Sequence, residues 1–204
     1  MPTDKEELAR RIALARADHL VRGFNFVAVL ELVKEHAGAA AANGLQAPLG
    51  PRVLPFFNYP AAEFLRLTYA AADLLEPVFR SVDAAFTAMG RAAAWALVDS
   101  AAGKMLLRLV RGAPPDVLVR HAPTAYGMAA SHVTLAVKDL EQTSAKLELT
   151  SDLMPVAFHL GILSAGLEAV GLDACVEGRE VGPSSVEFRV RWVPTRTPAA
   201  RAGV

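Results

Sequence analysis

The hydrophobic pattern of this chain changes its period once, near residue 132, and that change constrains the fold more than any other feature. Up to about Tyr126 the apolar residues recur at helical spacing. In the segment 132–137, valine or leucine then occupies every second position. A period near 3.6 indicates amphipathic helices, and a period of 2 indicates strands with one buried face. The chain therefore divides into a helical first two-thirds and a mixed last third.

The last third predicts two β-hairpins. Alternating apolar residues pair segment 133–137 with segment 145–149 across a polar turn. A second pair, about Asp173–Val181 and Ser185–Val193, is joined by a turn at Gly182-Pro183-Ser184. Alternation bounded by glycine, proline and serine is typical of hairpins with one dry and one wet face.

A helix separates the two hairpins. It is predicted from about Met154 to Val170, with Ser151 and Asp152 as caps and Gly171 at its end. Four short strands must be covered by helices on their apolar face. We therefore predict an α+β fold, in which a four-stranded antiparallel sheet packs against a helical N-terminal two-thirds.

The helical part and the domain limits follow from caps and prolines. The predicted helices begin at Thr3 or Asp4, run over Phe24–His36, Pro60–Leu75 and Ser81–Leu97, and end with Pro114–Tyr126, while Gly38–Gly50 is predicted as a loop. We predict an N-terminal helical extension over residues 1–20, a single domain over 21–193 and a flexible tail over 194–204.

Composition limits the classes of partner and compartment. The 204 residues are 53% hydrophobic, and 21 basic residues balance 21 acidic ones, so no nucleic-acid partner is expected. No uncharged apolar run reaches the roughly 18 residues of a membrane span, and a secretory signal is absent. A cytoplasmic protein is therefore expected. Cys175 is the only cysteine, which excludes an internal disulfide, and we expect it to be a small buried hydrophobe.

No catalytic or metal-binding pattern emerges. The five histidines are scattered and form no pair at metal-ligand spacing on one helical face. Ser164 lies outside a nucleophile elbow, and Lys104 lacks the glycines of a phosphate loop. His159 is interpreted as a hydrogen-bonded core histidine, with a ligand-binding role as the alternative. The chain is therefore not expected to be an enzyme or to bind a metal.

Three aromatic rings within four non-helical residues, 56–59, form the most distinctive local feature. They line the mouth of a pocket or a dimer face, or they pin a loop onto the core. The candidate ligand pocket consists of Phe56, Phe57, Tyr59, Trp95, Phe158 and His159.

The C-terminal third resembles a known family. Segment Phe158–Glu168, Gly171 and the hairpin that ends Glu187-Phe188-Arg189-Val190 resemble the end of the 4-vinyl-reductase domain. That group is related to the small subunits of the TRAPP tethering complex and to haem nitric-oxide-binding domains. The chain from about Val21 to Trp192 also resembles an uncharacterised paralogous family of myxobacterial proteins, through residues such as Tyr59-Pro60, Gly90-Arg91 and Arg191-Trp192.

The resemblance implies an apolar cavity beneath the sheet, often in a dimer. Haem-binding relatives use a histidine on a helix, a position that suits His121, and a downstream Tyr-x-Ser-x-Arg cluster. Segment 131–134 contains neither Tyr nor Arg, so no cofactor is expected and haem is not favoured. The predicted function is a non-enzymatic ligand-binding or sensory module that acts in regulation or signalling as a dimer, with a hydrophobic small molecule as ligand. The alternative is a scaffold or adaptor that binds only protein.

Overall fold

The computed structural model describes residues 3–110 and 112–193, so the predicted tail at 194–204 lies outside the described residues. The helices are α1 (Lys5–Leu14), α2 (Gly23–Ala37), α3 (Ala39–Gln46), α4 (Ala61–Phe79), α5 (Val82–Asp99), α6 (Ala101–Val110), α7 (Pro115–Arg120), α8 (Ala122–Ala129) and α9 (Val156–Ala169). The strands are β1 (Leu20–Arg22), β2 (Asn58–Pro60), β3 (Thr134–Leu140), β4 (Ser144–Thr150), β5 (Ala174–Gly182) and β6 (Ser185–Trp192).

The predicted α+β fold is confirmed. The four late strands form one antiparallel sheet in the order β3-β4-β6-β5, with α9 between its two hairpins in the sequence. On β4 and β6 the register pairs Leu147 with Phe188 and Leu149 with Val186. All four side chains are buried, as the alternation predicts for the face covered by helices. The short strands β1 and β2 form a separate two-stranded sheet.

Helices α5 and α9 approach each other closely because glycine replaces side chains at their contact. A Cβ atom on Gly90 would lie 1.9 Å from the Phe158 carbonyl oxygen, and one on Gly161 would lie 2.1 Å from the Thr87 carbonyl oxygen. The glycines therefore let the two backbones touch. Gly161, on α9, thus packs directly on α5.

Two helical predictions are wrong in detail. Residues predicted as a loop contain α3, because its run of alanines has high helix propensity. The single helix predicted up to Tyr126 is broken into α7 and α8, since Pro123 lies in the first turn of α8 and cannot donate a backbone hydrogen bond to α7.

Two predictions near the sheet are also wrong. Cys175 is exposed rather than buried, because β5 is an edge strand and alternate residues of it face solvent. Helix α9 begins at Val156 after Pro155, so Asp152 does not cap it.

Helix α1 is held against the later half of the chain by a buried arginine. Asp4 caps the helix by accepting from the backbone N–H groups of Glu6 and Glu7. Arg11 is 7% exposed, and its Nη1 donates to the carbonyl oxygens of Leu153 and Met154. Its Nη2 lies 2.7 Å from a carboxylate oxygen of Glu180 on β5. This contact joins the predicted N-terminal extension to the segment before α9.

Candidate functional site

A cavity of about 150 Å³ lies between the helices α5 to α9 and the sheet. Its wall includes Ala93, Ala94 and Leu97 from α5, Leu163 and Gly166 from α9, and Leu147 and Val190 from the sheet. Among the described residues that line it, only Asn25, His121 and Tyr126 have side chains that form conventional hydrogen bonds. We refer to this space as the larger cavity.

Small residues create the larger cavity. Alanine occupies five of the eight positions of α5 and α8 that line it, and nothing lies within 4 Å of where a Cβ atom on Gly166 would stand. Gly103 lets α6 pack directly on the end of α5, because a Cβ atom at this position would lie 1.9 Å from the Leu97 carbonyl oxygen. Close helix contacts therefore frame a space that short side chains leave unfilled.

Asn25 fixes one wall of the larger cavity. It is 4% exposed, and its Nδ2 donates to the carbonyl oxygens of Arg22 at 3.1 Å and Ala129 at 3.2 Å. These bonds tie the start of α2 to the end of α8. Buried amides of this kind need such partners, because an unpaired amide costs folding free energy.

A buried network of three polar side chains lies next to this wall. Nε2 of His159 is 2.8 Å from Oδ1 of Asp152, and Nδ1 of His159 is 3.4 Å from the hydroxyl of Tyr126. His159 and Asp152 are only 3% and 2% exposed. Oδ1 of Asp152 also accepts the backbone N–H of Met154 at 2.9 Å.

The hydrogen-bond roles of the three groups depend on the tautomer of His159. With its Nε2–H donating to Asp152, a neutral His159 presents Nδ1 as an acceptor toward the Tyr126 hydroxyl. Burial, followed by the nearby Asp152 carboxylate, raises the pKa of Tyr126 well above its usual value. Tyr126 is therefore a neutral phenol at physiological pH, and in this tautomer its O–H is the hydrogen-bond donor to Nδ1 of His159.

The network borders a second, smaller cavity of about 50 Å³. Tyr126, His159, Asp152 and His132 line it, in an otherwise mostly apolar wall. Tyr126 and Asn25 line both cavities, so the two spaces share a wall. A change in the position of Tyr126 would therefore alter the shape of both cavities.

Two histidines stack beside the smaller cavity. The rings of His19 and His132 have centroids 4.6 Å apart and planes that differ by 9°. The Nδ1 atoms of both rings are buried and have no hydrogen-bond partner among the described residues. Burial, followed by the neighbouring His19, lowers the pKa of His132.

The structure separates the six residues of the predicted ligand pocket. Phe158 and His159 are both 3% exposed and line the smaller cavity. Trp95 is 36% exposed on α5, and Tyr59 packs its ring 5.1 Å from that of Phe26. The remaining two, Phe56 and Phe57, lie on the surface. As a ligand pocket, the set of six stays a prediction.

Sequence reasoning missed Asp152 and Tyr126. Asp152 was assigned as a helix cap, a role that fits most aspartates before a helix. Two features of the sequence could have identified the pair: His159 is a polar residue within an otherwise apolar segment, and Asp152 precedes it by seven residues. A buried histidine needs a partner, and the nearest preceding carboxylate would have been the first candidate.

Comparison with known proteins places the chain in a family. The sequence profile of the family described as "Protein of unknown function (DUF2378)" matches residues 14–193. The chain belongs to the DUF2378 family. No curated protein matches this DUF2378 member.

Solved H-NOX structures share the fold. Unliganded Fe(II) H-NOX from K. algicida matches with a TM-score of 0.61 and 16% identity, covering 86% of this chain and 98% of that one. H-NOX from S. oneidensis in its Fe(II)NO state matches with a TM-score of 0.61 and 12% identity, covering 84% and 99%. A point mutant of T. tengcongensis H-NOX matches with a TM-score of 0.60 and 15% identity, covering 81% and 94%.

Because the sequence identities are so low, these similarities show only that this DUF2378 chain shares the fold of the H-NOX proteins. They agree with the part of the predicted resemblance that concerned haem nitric-oxide-binding domains. The likenesses to 4-vinyl-reductase, TRAPP and myxobacterial proteins stay predictions.

The prediction that this chain binds no cofactor is wrong. The solved proteins that match include H-NOX proteins in Fe(II) states, and one H-NOX structure was solved to probe heme distortion in that family. Haem was not favoured from the sequence because segment 131–134 lacks Tyr and Arg. That four-residue pattern gave no information on the similarity of the whole fold to H-NOX proteins. Haem is therefore the cofactor that must be tested first.

Across residues 3–110 and 112–193, no group of three His, Cys, Asp or Glu side chains is placed to hold a metal ion. None of the helices in these ranges is long and apolar enough to cross a membrane.

Proposed function

We propose that this chain is a ligand-binding sensory module and that a small, uncharged molecule binds in the larger cavity. The wall of that cavity carries the proposal: it is almost wholly apolar, and none of the described residues that line it is Asp, Glu, Lys or Arg. Placing an unpaired charge there would cost several kcal/mol or more. A neutral, largely apolar ligand is therefore favoured.

The size of the larger cavity limits the ligand further. Its volume of about 150 Å³ is comparable to engineered apolar cavities of roughly 150 Å³ that bind benzene. Drug-sized ligands need roughly 300–1,000 Å³. We therefore expect a molecule with one ring or a short branched chain, and at most one or two polar atoms that face His121 or Tyr126.

The fold comparison supports a sensory role. An H-NOX protein with this fold was solved in an Fe(II)NO ligation state, so a related architecture binds a small molecule. In this chain Tyr126 borders the larger cavity and also contacts His159. A ligand that displaces the Tyr126 ring would thus alter a buried polar network, which is a physical route from binding to a change in structure.

Binding is tested with a series of small probes. Benzene, toluene and phenol are expected to raise the melting temperature and to show ligand-observed NMR saturation transfer, whereas benzoate is not. Ala125→Leu fills the cavity from α8 and is expected to abolish these effects. Thr124→Leu, which adds the same side chain to an exposed position of α8, serves as the matched control. Failure of every neutral probe to bind the wild-type protein would remove the proposal.

Haem requires a separate test, because it does not fit in the larger cavity. His121 is the histidine on the cavity wall and is the residue that would hold the iron. No described lining residue is Arg or Lys to pair with the two propionates, and about 150 Å³ is too small for a porphyrin. Haem binding would therefore need α6 to α8 to move away from α9.

The haem test uses absorbance. Wild-type protein and His121→Ala are incubated with haemin, and the Soret band is compared with that of free haemin. A shifted band that His121→Ala abolishes would establish haem as the cofactor and show that the cavity opens. If both proteins leave the spectrum of free haemin unchanged, haem does not bind. The small-probe experiment then tests for a different ligand.

A dimer is the second candidate, and the outer face of α6 favours it. Met105 and Leu109, one helical turn apart, are 65% and 71% exposed. Side chains one turn apart lie on the same helical face, so this pair offers apolar surface that a second copy of the chain could bury. Light scattering should report a dimer that Met105→Ser with Leu109→Ser converts to a monomer. A wild-type monomer at high concentration would exclude this face as a stable self-interface.

A further inference from the structure

A short loop between Leu54 and Asn58 holds two adjacent phenylalanines in solvent. Phe56 is 76% exposed and Phe57 is 61% exposed, and Leu54 beside them is 37% exposed. Phe56 and Phe57 line none of the cavities described above. We call residues 54–58 the aromatic loop.

Backbone hydrogen bonds fix the aromatic loop in this form. The N–H groups of Gly23 and Phe24 donate to the carbonyl oxygens of Phe57 and Pro55 at 2.8 and 2.9 Å, and the N–H of Phe57 donates to Leu54 at 3.1 Å. The phenol of Tyr59 accepts the N–H of Leu54 at 2.8 Å. These bonds hold the backbone of the aromatic loop in the conformation in which both rings are exposed.

Glycine is required where the loop meets α2. A Cβ atom on Gly23 would lie 2.1 Å from the Leu54 carbonyl oxygen. The loop therefore rests directly on the first turn of α2 and cannot move inward. Its two phenylalanines project from a backbone that packs against α2.

Two unpaired cations flank the phenylalanines. Nη1 of Arg22 donates to the Phe56 carbonyl oxygen at 3.0 Å, and Arg52 lies four residues before Phe56. Both side chains are exposed, and within the described residues neither forms an ion pair. The segment 48–60 contains no Asp or Glu. The loop and its flanks thus combine two exposed rings with two exposed arginines.

We propose that the aromatic loop inserts into the interface of an anionic lipid membrane. The exposed parts of the two rings amount to roughly 300 Å², well below the roughly 800 Å² per partner that a stable protein interface buries. Projecting aromatic rings with adjacent arginines match a lipid interface, where the rings enter the headgroup region and the cations pair with phosphate or carboxylate groups. The proposal is independent of what the larger cavity binds.

Vesicle flotation tests the proposal. The wild-type protein should bind vesicles of equal parts phosphatidylcholine and phosphatidylserine, and bind phosphatidylcholine alone at least tenfold less well. Phe56→Ser with Phe57→Ser should reduce binding to the anionic vesicles at least tenfold, and Arg22→Gln with Arg52→Gln should remove the preference for them. Leu74→Ser with Val78→Ser, which changes an exposed apolar pair on α4, should leave binding unchanged.

Three results would overturn the proposal. The first is a wild-type protein that binds neither kind of vesicle at low salt. The second is an equal loss of binding in the α4 control. The third is a wild-type dimer that becomes a monomer in the double phenylalanine variant, which would make the loop a contact between copies. Circular dichroism and melting temperature check that each variant is folded, and the exposure of both rings predicts melting temperatures close to that of the wild-type protein.

Discussion

Nε2 of His159 lies 2.8 Å from Oδ1 of Asp152, and both groups are buried where the two apolar clusters of the fold meet. The His159 ring contacts Phe158, which belongs to the helical cluster, and Phe188, which belongs to the sheet cluster. The α9 segment thus satisfies this polar pair internally, at the point where helices and sheet meet, and the loss of either partner would leave the other buried and unpaired.

Asp152→Ala is expected to lower the free energy of unfolding by about 3 kcal/mol. The change leaves His159 and the Met154 N–H without their acceptor in a buried site. Asp152→Asn keeps an acceptor oxygen and should cost less. Urea denaturation measures both variants, and equal free energies for wild type and Asp152→Ala would contradict the assigned role of the pair.

Tyr126→Phe is expected to be much milder, with a loss of about 1 kcal/mol or less. Its hydroxyl is 3.4 Å from Nδ1 of His159, which is long for a hydrogen bond, and the aromatic ring keeps its packing. The same urea experiment ranks this variant against Asp152→Ala. A larger loss for Tyr126→Phe would mean that the hydroxyl, rather than the carboxylate, anchors the network.

The unfolding free energy is expected to decrease as the pH falls below about 6.5, partly through His132. Because burial and His19 lower its pKa in the folded state, the unfolded chain binds the proton at higher pH than the folded one. The stability is therefore present above the ordinary pKa of 6.5 and is lost as the pH falls through the lowered value. Asp18 and Asp152 act in the opposite direction and reduce the effect.

His132→Gln tests this pH dependence, since glutamine keeps a polar side chain that does not titrate. Melting temperatures at pH 7 and pH 5 should differ less in the variant than in the wild-type protein. His36→Gln, on the exposed end of α2, is the matched control and should leave the difference unchanged. An unchanged pH dependence in His132→Gln would rule out His132 as a source of the effect.

The sequence predicted the layers of the fold better than the site. Alternation in β4 and β6 identified which residues face the helices, because burial on one face of a sheet imposes a period of 2. The pairing of Asp152 with His159 depends on how the chain turns before α9, and Tyr126 reaches them from a separate helix. Such contacts depend on tertiary geometry, which periodicity does not encode. The cavity has the same origin, since alanines on α5 and α8 leave space only once the helices are placed.

Close contact between α5 and α9 gives the last prediction. Gly90→Ala would place a Cβ atom 1.9 Å from the Phe158 carbonyl oxygen, so the helices must separate. We expect a loss of about 1–3 kcal/mol in the free energy of unfolding. Gly44→Ala is the matched control, because nothing lies within 4 Å of its added methyl group on α3. It should be neutral or stabilise the protein by up to about 1 kcal/mol. Equal effects of the two substitutions, measured by urea denaturation, would show that α5 and α9 are not in backbone contact.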